Sequence, residues 1–484
     1  MPMFRFAYNA AMNESSAPVP PRHPIPDTRH PSQRERTQLL FARVYRTVLV
    51  METALAVGSR YFLIDRQTKH APPEERARRM DAQHARSAER LATLAGRLRG
   101  LLTKSGQYLS ARPDLLPEPY IEPLARLQDA VPPRPFALIA RQIERELGRS
   151  PETVFASINW RPVASASLAQ VHRATLRDGR DVAVKVQYPG IEGLVRADLR
   201  NLGLIVDIVG RIWPKYDFRA LYREIRRMVP QELDFHHEAA NAERIAADLA
   251  DRDDLLIPTI LHEYSGRRVL TMSYVDGVKI SDVGGIRRLG LDPAVLAERV
   301  VSIFGDQVVG HGFFHGDPHP GNVFVLPDGR IALLDFGQAL ALPPDVQRAF
   351  ASLSLAAAER NPAGMVAAIR AIGFELPREF DTTYMQMATQ VLSTISPDHP
   401  PAEPEADAAA VNTQMARGFR NISLDHVSGE ALFVFRTQGL LRGLRTRLGA
   451  PGPIVTTWAP YARRLLAASE AVGNGQLAVG PNGR

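Results

Sequence analysis

FFHGDPHPGN, residues 313–322, sets an acid, Asp317, and an amide, Asn322, five positions apart, with two prolines, a histidine and a glycine restricting the backbone between them. Apolar residues lead into it. A second acid, Asp335, follows in IALLDFGQA (331–339), whose first residues read as a short buried strand. Two oxygen-bearing side chains after an apolar lead-in and a third after a short strand are a pattern for holding a cation and a reacting group together. The residues that would complete such a site have to come from elsewhere in the chain.

Upstream, VASASLAQVHRATL (163–176) and DVAVKVQY (181–188) alternate in the period of a strand, and the Asp178-Gly179 pair between them is a hairpin turn signal. The alternation puts Lys185 on the face opposite Val182, Val184 and Val186. A lysine there either decorates an edge strand or neutralises nucleotide phosphates once a carboxylate holds it. Lysine is scarce: Lys69, Lys104, Lys185, Lys215 and Lys279 are the five among 59 basic residues. A chain that otherwise uses arginine has kept the compact point charge at 185 and again at 104. The carboxylate partner is expected from MVPQELDFHHEAANAERI (228–245), read as one helix on which Glu232 and Glu238 point to different sides. His236 and His237, adjacent in that helix, point about 100° apart and read as surface or packing residues rather than a metal pair.

Protein kinases space their catalytic acid and amide as H-R-D-x-x-x-x-N, the acid orienting the acceptor hydroxyl and the amide holding Mg²⁺, while D-F-G gives the other metal ligand. His315-Gly316-Asp317, Asn322 and Asp335-Phe336-Gly337 follow that order. The spacing therefore points to Mg-ATP and phosphoryl transfer, with Asp317 as the acid, Asn322 and Asp335 on the metal, and Lys185 on the phosphates. Glu238 is the kinase-like partner of Lys185. His319 reads as part of the loop's hydrogen bonding.

Taken together, LLTKSGQYLSARPDLLP (101–117), PVASASLAQVHRA (162–174), VAVKVQYPG, QELDFHHEAANAERI, HGDPHPGN and LLDFG resemble the UbiB/AarF family of atypical kinases, which includes the ADCK proteins linked to coenzyme Q biosynthesis. The resemblance covers roughly residues 90–450. It implies an α+β, protein-kinase-like bilobal fold with an N-terminal helical extension, binding ATP and Mg²⁺. In place of a glycine-rich phosphate loop it puts Ala164, Ser165, Ala166 and Ser167, with Ser165 departing from the family's alanine. It also implies that Lys104, Gly106 and Gln107 (K-x-G-Q) fold over the nucleotide site, and that Glu232 and Asp234 (E-x-D) face Lys104. KSGQ by itself reads equally as a helix C-terminus ended by Gly106. No long activation segment follows D-F-G, so a docked protein substrate lacks its usual platform. The function implied is an ATP-dependent kinase or ATPase supporting isoprenoid-quinone or lipid metabolism. The alternatives are a small-molecule phosphotransferase of the aminoglycoside or choline kinase type and a nucleotide-sensing scaffold.

Composition sets the frame. At 484 residues, 45% hydrophobic and 23% charged, the chain can bury a large core in more than one lobe. The absence of cysteine excludes disulfides and thiolate chemistry and suits the cytoplasm. The net charge of +7 belongs to the first hundred residues, which hold 17 Lys and Arg against 9 Asp and Glu. The basic segment 43–66 either lies on an anionic membrane surface or packs on its own protein; without stacking aromatics beside basic patches, nucleic acid is not an expected partner. VLVMETALAV is interrupted by Glu52 and LGLIVDIVGRIW by Asp207, so no segment is expected to span a bilayer and membrane contact is expected to be peripheral or through lipid- or quinone-pathway proteins. The expected divisions are a loose terminus (1–35), the helical extension (36–150), a smaller β-containing lobe (151–277), a helical lobe with the two loops (278–460) and a tail (461–484).

Overall fold

The computed structural model describes residues 33–98, 118–125, 133–212, 219–376 and 427–477 except 451, with isolated positions between these stretches such as Gly106 and Leu127. The described residues divide at Val48 into two compact units. Within the second unit the architecture is mixed helix and sheet, the kinase-like arrangement of a smaller sheet-bearing lobe followed by a larger, mainly helical one.

The smaller lobe is built on the expected hairpin. β1 (Phe155–Ile158), β2 (Ala164–Ser165), β3 (Ala169–Leu176) and β4 (Asp181–Gln187) precede β5 (Leu255–Leu256), which joins a different sheet, and β6 (Val269–Ser273). The antiparallel order is β1-β3-β4-β6, with β2 beside β3. The β3–β4 turn closes on Asp178-Gly179, and Lys185 stands opposite Val171 and Leu270. Val182, Val184 and Val186 are fully buried against Ile139, Ile143, Val195 and Ile225. At about 1.5–3 kcal/mol for each such side chain, this face fixes which way the strand turns. The period of 2 then commits Ala183, Lys185 and Gln187 to the other face.

The larger lobe packs around the helix Pro293–Gly305, whose Leu296, Ala297, Val300, Ile303 and Phe304 are buried. Trp458 is fully buried across it and donates its indole N–H to Val301 O at 3.0 Å. The helix Ala459–Leu477 runs across position 460 and contributes Ala462 to the same core. Small sheets carry the loops: β7 (Val278–Lys279), β8 (Phe313–His315), β9 (Val323–Val325), β10 (Ile331–Leu333) and β11 (Ala339–Ala341). β9 and β10 form a hairpin, β10 also pairs with β5, and β8 pairs with β11.

Two local expectations change. The stretch 228–245 is not one helix: Arg219–Glu232 ends, and Phe235–Asp248 starts at Asp234, whose carboxylate accepts the N–H of His236. An Asx cap and the buried Leu233 break the helix there, so Glu232 and Glu238 lie on separate helices. The helix Gln33–Gln67 contains a stretch, Val44–Gln67, whose most apolar 18-residue window has a mean hydropathy of 1.4, long and apolar enough by length and composition to cross a membrane. Uninterrupted apolar runs do not reveal it, because a continuous helix carries single charges such as Glu52 within an apolar window.

In the extension, the helix Pro73–Leu98 packs Ala88 and Ala95 on Tyr120, Leu124 and Leu127. A Cβ on Gly106 would lie 2.5 Å from Leu127 Cδ1, so a close approach, not a left-handed cap, explains the glycine of KSGQ. Lys104 and Gln107 lie outside the described residues.

Candidate active site

Backbone pairing brings the sequence-distant residues together. Because β9 and β10 pair Val323 with Leu333, the positions flanking them meet: Leu334 N donates to Asn322 O at 2.9 Å, and Asp335 is the next residue. Because β8 and β11 pair His315 with Ala339, Gly316 N donates to Gln338 O at 2.7 Å, and Asp317 comes beside the residues that follow D-F-G. His315, fully buried, joins both loops: Asp317 N donates to its Nδ1 at 3.2 Å, and its Nε2 lies 3.0 Å from Leu334 O. One tautomer, protonated on Nε2, serves both bonds. Phe336 packs edge-on to the imidazole, 5.4 Å between centroids.

Lys185 reaches this assembly from β4. Its ammonium donates to both oxygens of Glu238, at 2.7 and 2.8 Å, and to Asp335 Oδ1 at 3.1 Å. The Lys185 and Glu238 side chains are 14% and 7% exposed, that of Asp335 42%. Burial works against the charge on Lys185, but the Asp335 and Glu238 carboxylates outweigh it and hold the ammonium above its usual range. Burial pushes the Glu238 carboxyl up to about 7; Lys185 opposes the rise, and the Asp335 and Glu232 carboxylates add to it. The two directions have different causes: the paired acids keep the ammonium charged, whereas burial and the neighbouring carboxylates disfavour the charge on Glu238. Asn241 Nδ2 donates to Phe336 O at 2.9 Å, so the helix that supplies Glu238 also anchors D-F-G.

Asp335 has φ 61° and ψ 78°, a left-handed conformation that is sparsely populated by residues other than glycine and asparagine. Such strain gathers where a side chain must be aimed, and here it aims a carboxylate at the cleft. Asp317 is held by Asn322, whose Nδ2 donates to its backbone O at 3.2 Å and its Oδ2 at 3.4 Å. His319 stays within the loop: its Nδ1 accepts Gly321 N at 3.1 Å and its carbonyl accepts Asn322 N at 2.8 Å.

The Ala164–Ser167 stretch begins as β2 and turns back through Ala166 N donating to Ala169 O at 2.8 Å. Ser165 Oγ is 2.8 Å from Tyr188 OH. Ser167 Oγ and both polar atoms of the Gln187 side chain are buried without a hydrogen-bond partner. Buried polar groups are nearly always satisfied, so the orphaned hydroxyl of Ser167 and the orphaned amide of Gln187, the latter on the Lys185 face of β4, suit a polar ligand such as a triphosphate. Asn322 and Asp335 suit Mg²⁺, which takes one or two protein oxygens and completes its shell with phosphate and water. Among the described residues no group of three His, Asp or Glu stands as a self-sufficient metal cage.

Of the expected site residues, Lys185, Glu238 and Asp335 are in direct contact, Asn322 and Asp317 adjoin them through the hairpins, and Glu232 lies close to Asp335 and Glu238 around Gly337. Asp234 caps its helix and faces Arg267 at 3.6 Å. Gln187 was legible by period, two residues on from Lys185. Arg436, which donates to Asp317 Oδ1 at 3.0 Å, carried no local signal.

Comparison with known proteins bears on the family and the fold. Residues 126–369 match the family described as ABC1 atypical kinase-like domain. The chain is 33% identical over 424 residues to the AarF domain-containing protein kinase 1 of Xenopus tropicalis, covering 84% of this chain and 78% of that one. It is 38% and 43% identical to the chloroplastic proteins ACTIVITY OF BC1 COMPLEX KINASE 8 and 3 of Arabidopsis thaliana, over 58% and 52% of this chain but only 38% and 36% of theirs. Among solved structures, the Rv3197–erythromycin complex from Mycobacterium tuberculosis aligns with a TM-score of 0.55 at 26% identity, covering 77% of this chain and 94% of that one. Fold, loop order and sequence kinship converge, and the chain belongs to the UbiB/AarF family of ABC1 atypical kinase-like proteins.

Proposed function

We propose that this chain binds Mg-ATP and transfers or hydrolyses its terminal phosphoryl group in support of isoprenoid-quinone or lipid metabolism. The observation that carries the reading is the convergence on one cleft of Lys185, clasped by Glu238 and Asp335, with Asn322 and Asp317 on the neighbouring loops. Lys185 would take the triphosphate charge, and Ser167 and Gln187 would give it hydrogen bonds. Asn322 and Asp335 would hold Mg²⁺, which neutralises phosphate oxygens when bound. Asp317 would orient the attacking hydroxyl or water and accept its proton. Lys104, Gln107 and Glu232 remain assigned to closing the nucleotide site on the strength of the K-x-G-Q and E-x-D matches.

The quinone and membrane setting is supported by the apolar helix Val44–Gln67 and by relatives named for activity of the bc1 complex. Purified protein should gain thermal stability with Mg-ATP, by about 2.7 kcal/mol at a hundredfold excess over Kd. Asp335→Asn should abolish the magnesium-dependent part of that gain. Phosphate release measured with and without liposomes and phenol-like quinone precursors tests the setting. Absence of a Mg-ATP shift in the intact chain would overturn the proposal.

A further inference from the structure

We infer that Arg436 is a positioning residue for phosphoryl transfer: from the helix Gly429–Arg447 it clamps Asp317 and ties the acid loop to the residue after D-F-G. The inference rests on the reading of Asp317 as the acid.

Three hydrogen bonds from one guanidinium carry it. Nη2 donates to Asp317 Oδ1 at 3.0 Å, and Nη1 donates to Gly316 O at 3.0 Å and to Gln338 Oε1 at 3.4 Å. Thr437 beside it, fully buried, adds Oγ1 to Gly316 O at 3.4 Å. The helix is seated by Phe433, Val434 and Leu441, all buried in the core of the larger lobe, so the guanidinium is delivered by a rigid element. The Arg436 and Asp317 side chains are 20% and 24% exposed, which leaves the pair partly screened and within reach of the cleft.

FFHGDPHPGN contains no lysine or arginine, so the cation at the acid has to be imported, here from 119 residues along the chain. A planar fork spans a carboxylate on one side and a carbonyl and amide on the other, which a lysine point charge cannot do with fixed geometry. Holding Oδ1 leaves Oδ2, turned to Asn322, as the oxygen for an acceptor. Cancelling the Asp317 charge also reduces its repulsion of an incoming triphosphate. A misplacement of about 1 Å in such a group costs on the order of a hundredfold in rate.

The experiment pairs Arg436→Gln and Arg436→Lys with Asp317→Asn in the full chain. With Mg-ATP, Arg436→Gln should lower kcat about 10- to 100-fold while the KM for ATP changes less than about threefold, and Arg436→Lys should recover only part of the loss. Without nucleotide, Arg436→Gln should lower Tm in the chain carrying Asp317 and by less in the Asp317→Asn background, where only the bonds to Gly316 O and Gln338 remain to be lost. Unchanged kcat in Arg436→Gln, a loss confined to KM, or equal Tm decrements in both backgrounds would overturn the inference. Wild-type protein that neither binds nor hydrolyses Mg-ATP would instead overturn the functional reading, and the nucleotide-free cycle separates that outcome from failure of the clamp.

Discussion

Replacing Lys185 by Met keeps a straight side chain against the hairpin but removes the ammonium that Glu238 and Asp335 share at 2.7 and 3.1 Å. Glu238 sets the size of the effect, because its side chain is 7% exposed, while Asp335, at 42%, is screened by solvent and counts for little. In the wild type the Glu238 carboxyl is raised from 4.5 to about 7. Between those values the folded chain keeps a proton that the unfolded chain has lost, so stability falls as pH rises through the window, by up to about 3 kcal/mol at 1.36 kcal/mol per pH unit. Without Lys185 the cation that opposes the rise is gone, and the loss extends to higher pH. Lys185→Met should therefore cost about 3 kcal/mol at pH 8, the lower end for breaking a buried pair. It should cost about 1 kcal/mol or less at pH 5, where Glu238 is protonated in either folded chain. Urea unfolding of nucleotide-free protein at the two pH values measures the difference. An equal cost at both, or a larger one at pH 5, would refute the claim that Glu238 depends on this ammonium.

Gly316→Ala should lower stability by about 1–3 kcal/mol and reduce ATP turnover, because the new Cβ would sit 2.9 Å from Gln338 O and 3.0 Å from Leu340 Cδ1; denaturation midpoint and turnover unchanged together would show the loops are not so closely set. Trp458→Ala should cost about 3–5 kcal/mol by emptying the site over Gly305 and removing the indole hydrogen bond to Val301 O, read as a fall in the urea midpoint.

Much of this site is legible in the sequence, for reasons that differ by residue. Lys185 and its strand are legible because a period of 2 states which face each side chain takes, and the Asp-Gly turn states where the chain reverses. Asp317, Asn322 and Asp335 are legible because a kinase-like loop demands fixed spacings. The break at Leu233-Asp234 is not: the stretch is helical on both sides, and the cap that splits it needs the buried Leu233 to hold it there. Gly106 illustrates the same limit, since a glycine near a helix end looks like a cap until Leu124 and Leu127 are found against it. Arg436 is the extreme case, one of many arginines in a helix with no motif around it.

The amino-acid order alone determined the hairpin, the identity of its two faces, the loop spacings and the family, since each of these is written in short motifs whose residues are near neighbours in the chain. Tertiary structure decided which charges meet. The sharing of one ammonium by Glu238 and Asp335, the left-handed aim of Asp335 and the arrival of Arg436 at Asp317 all depend on strand pairing and core packing between segments more than 50 residues apart. Contacts of that range follow from how the whole chain buries its apolar surface, and no local pattern records them.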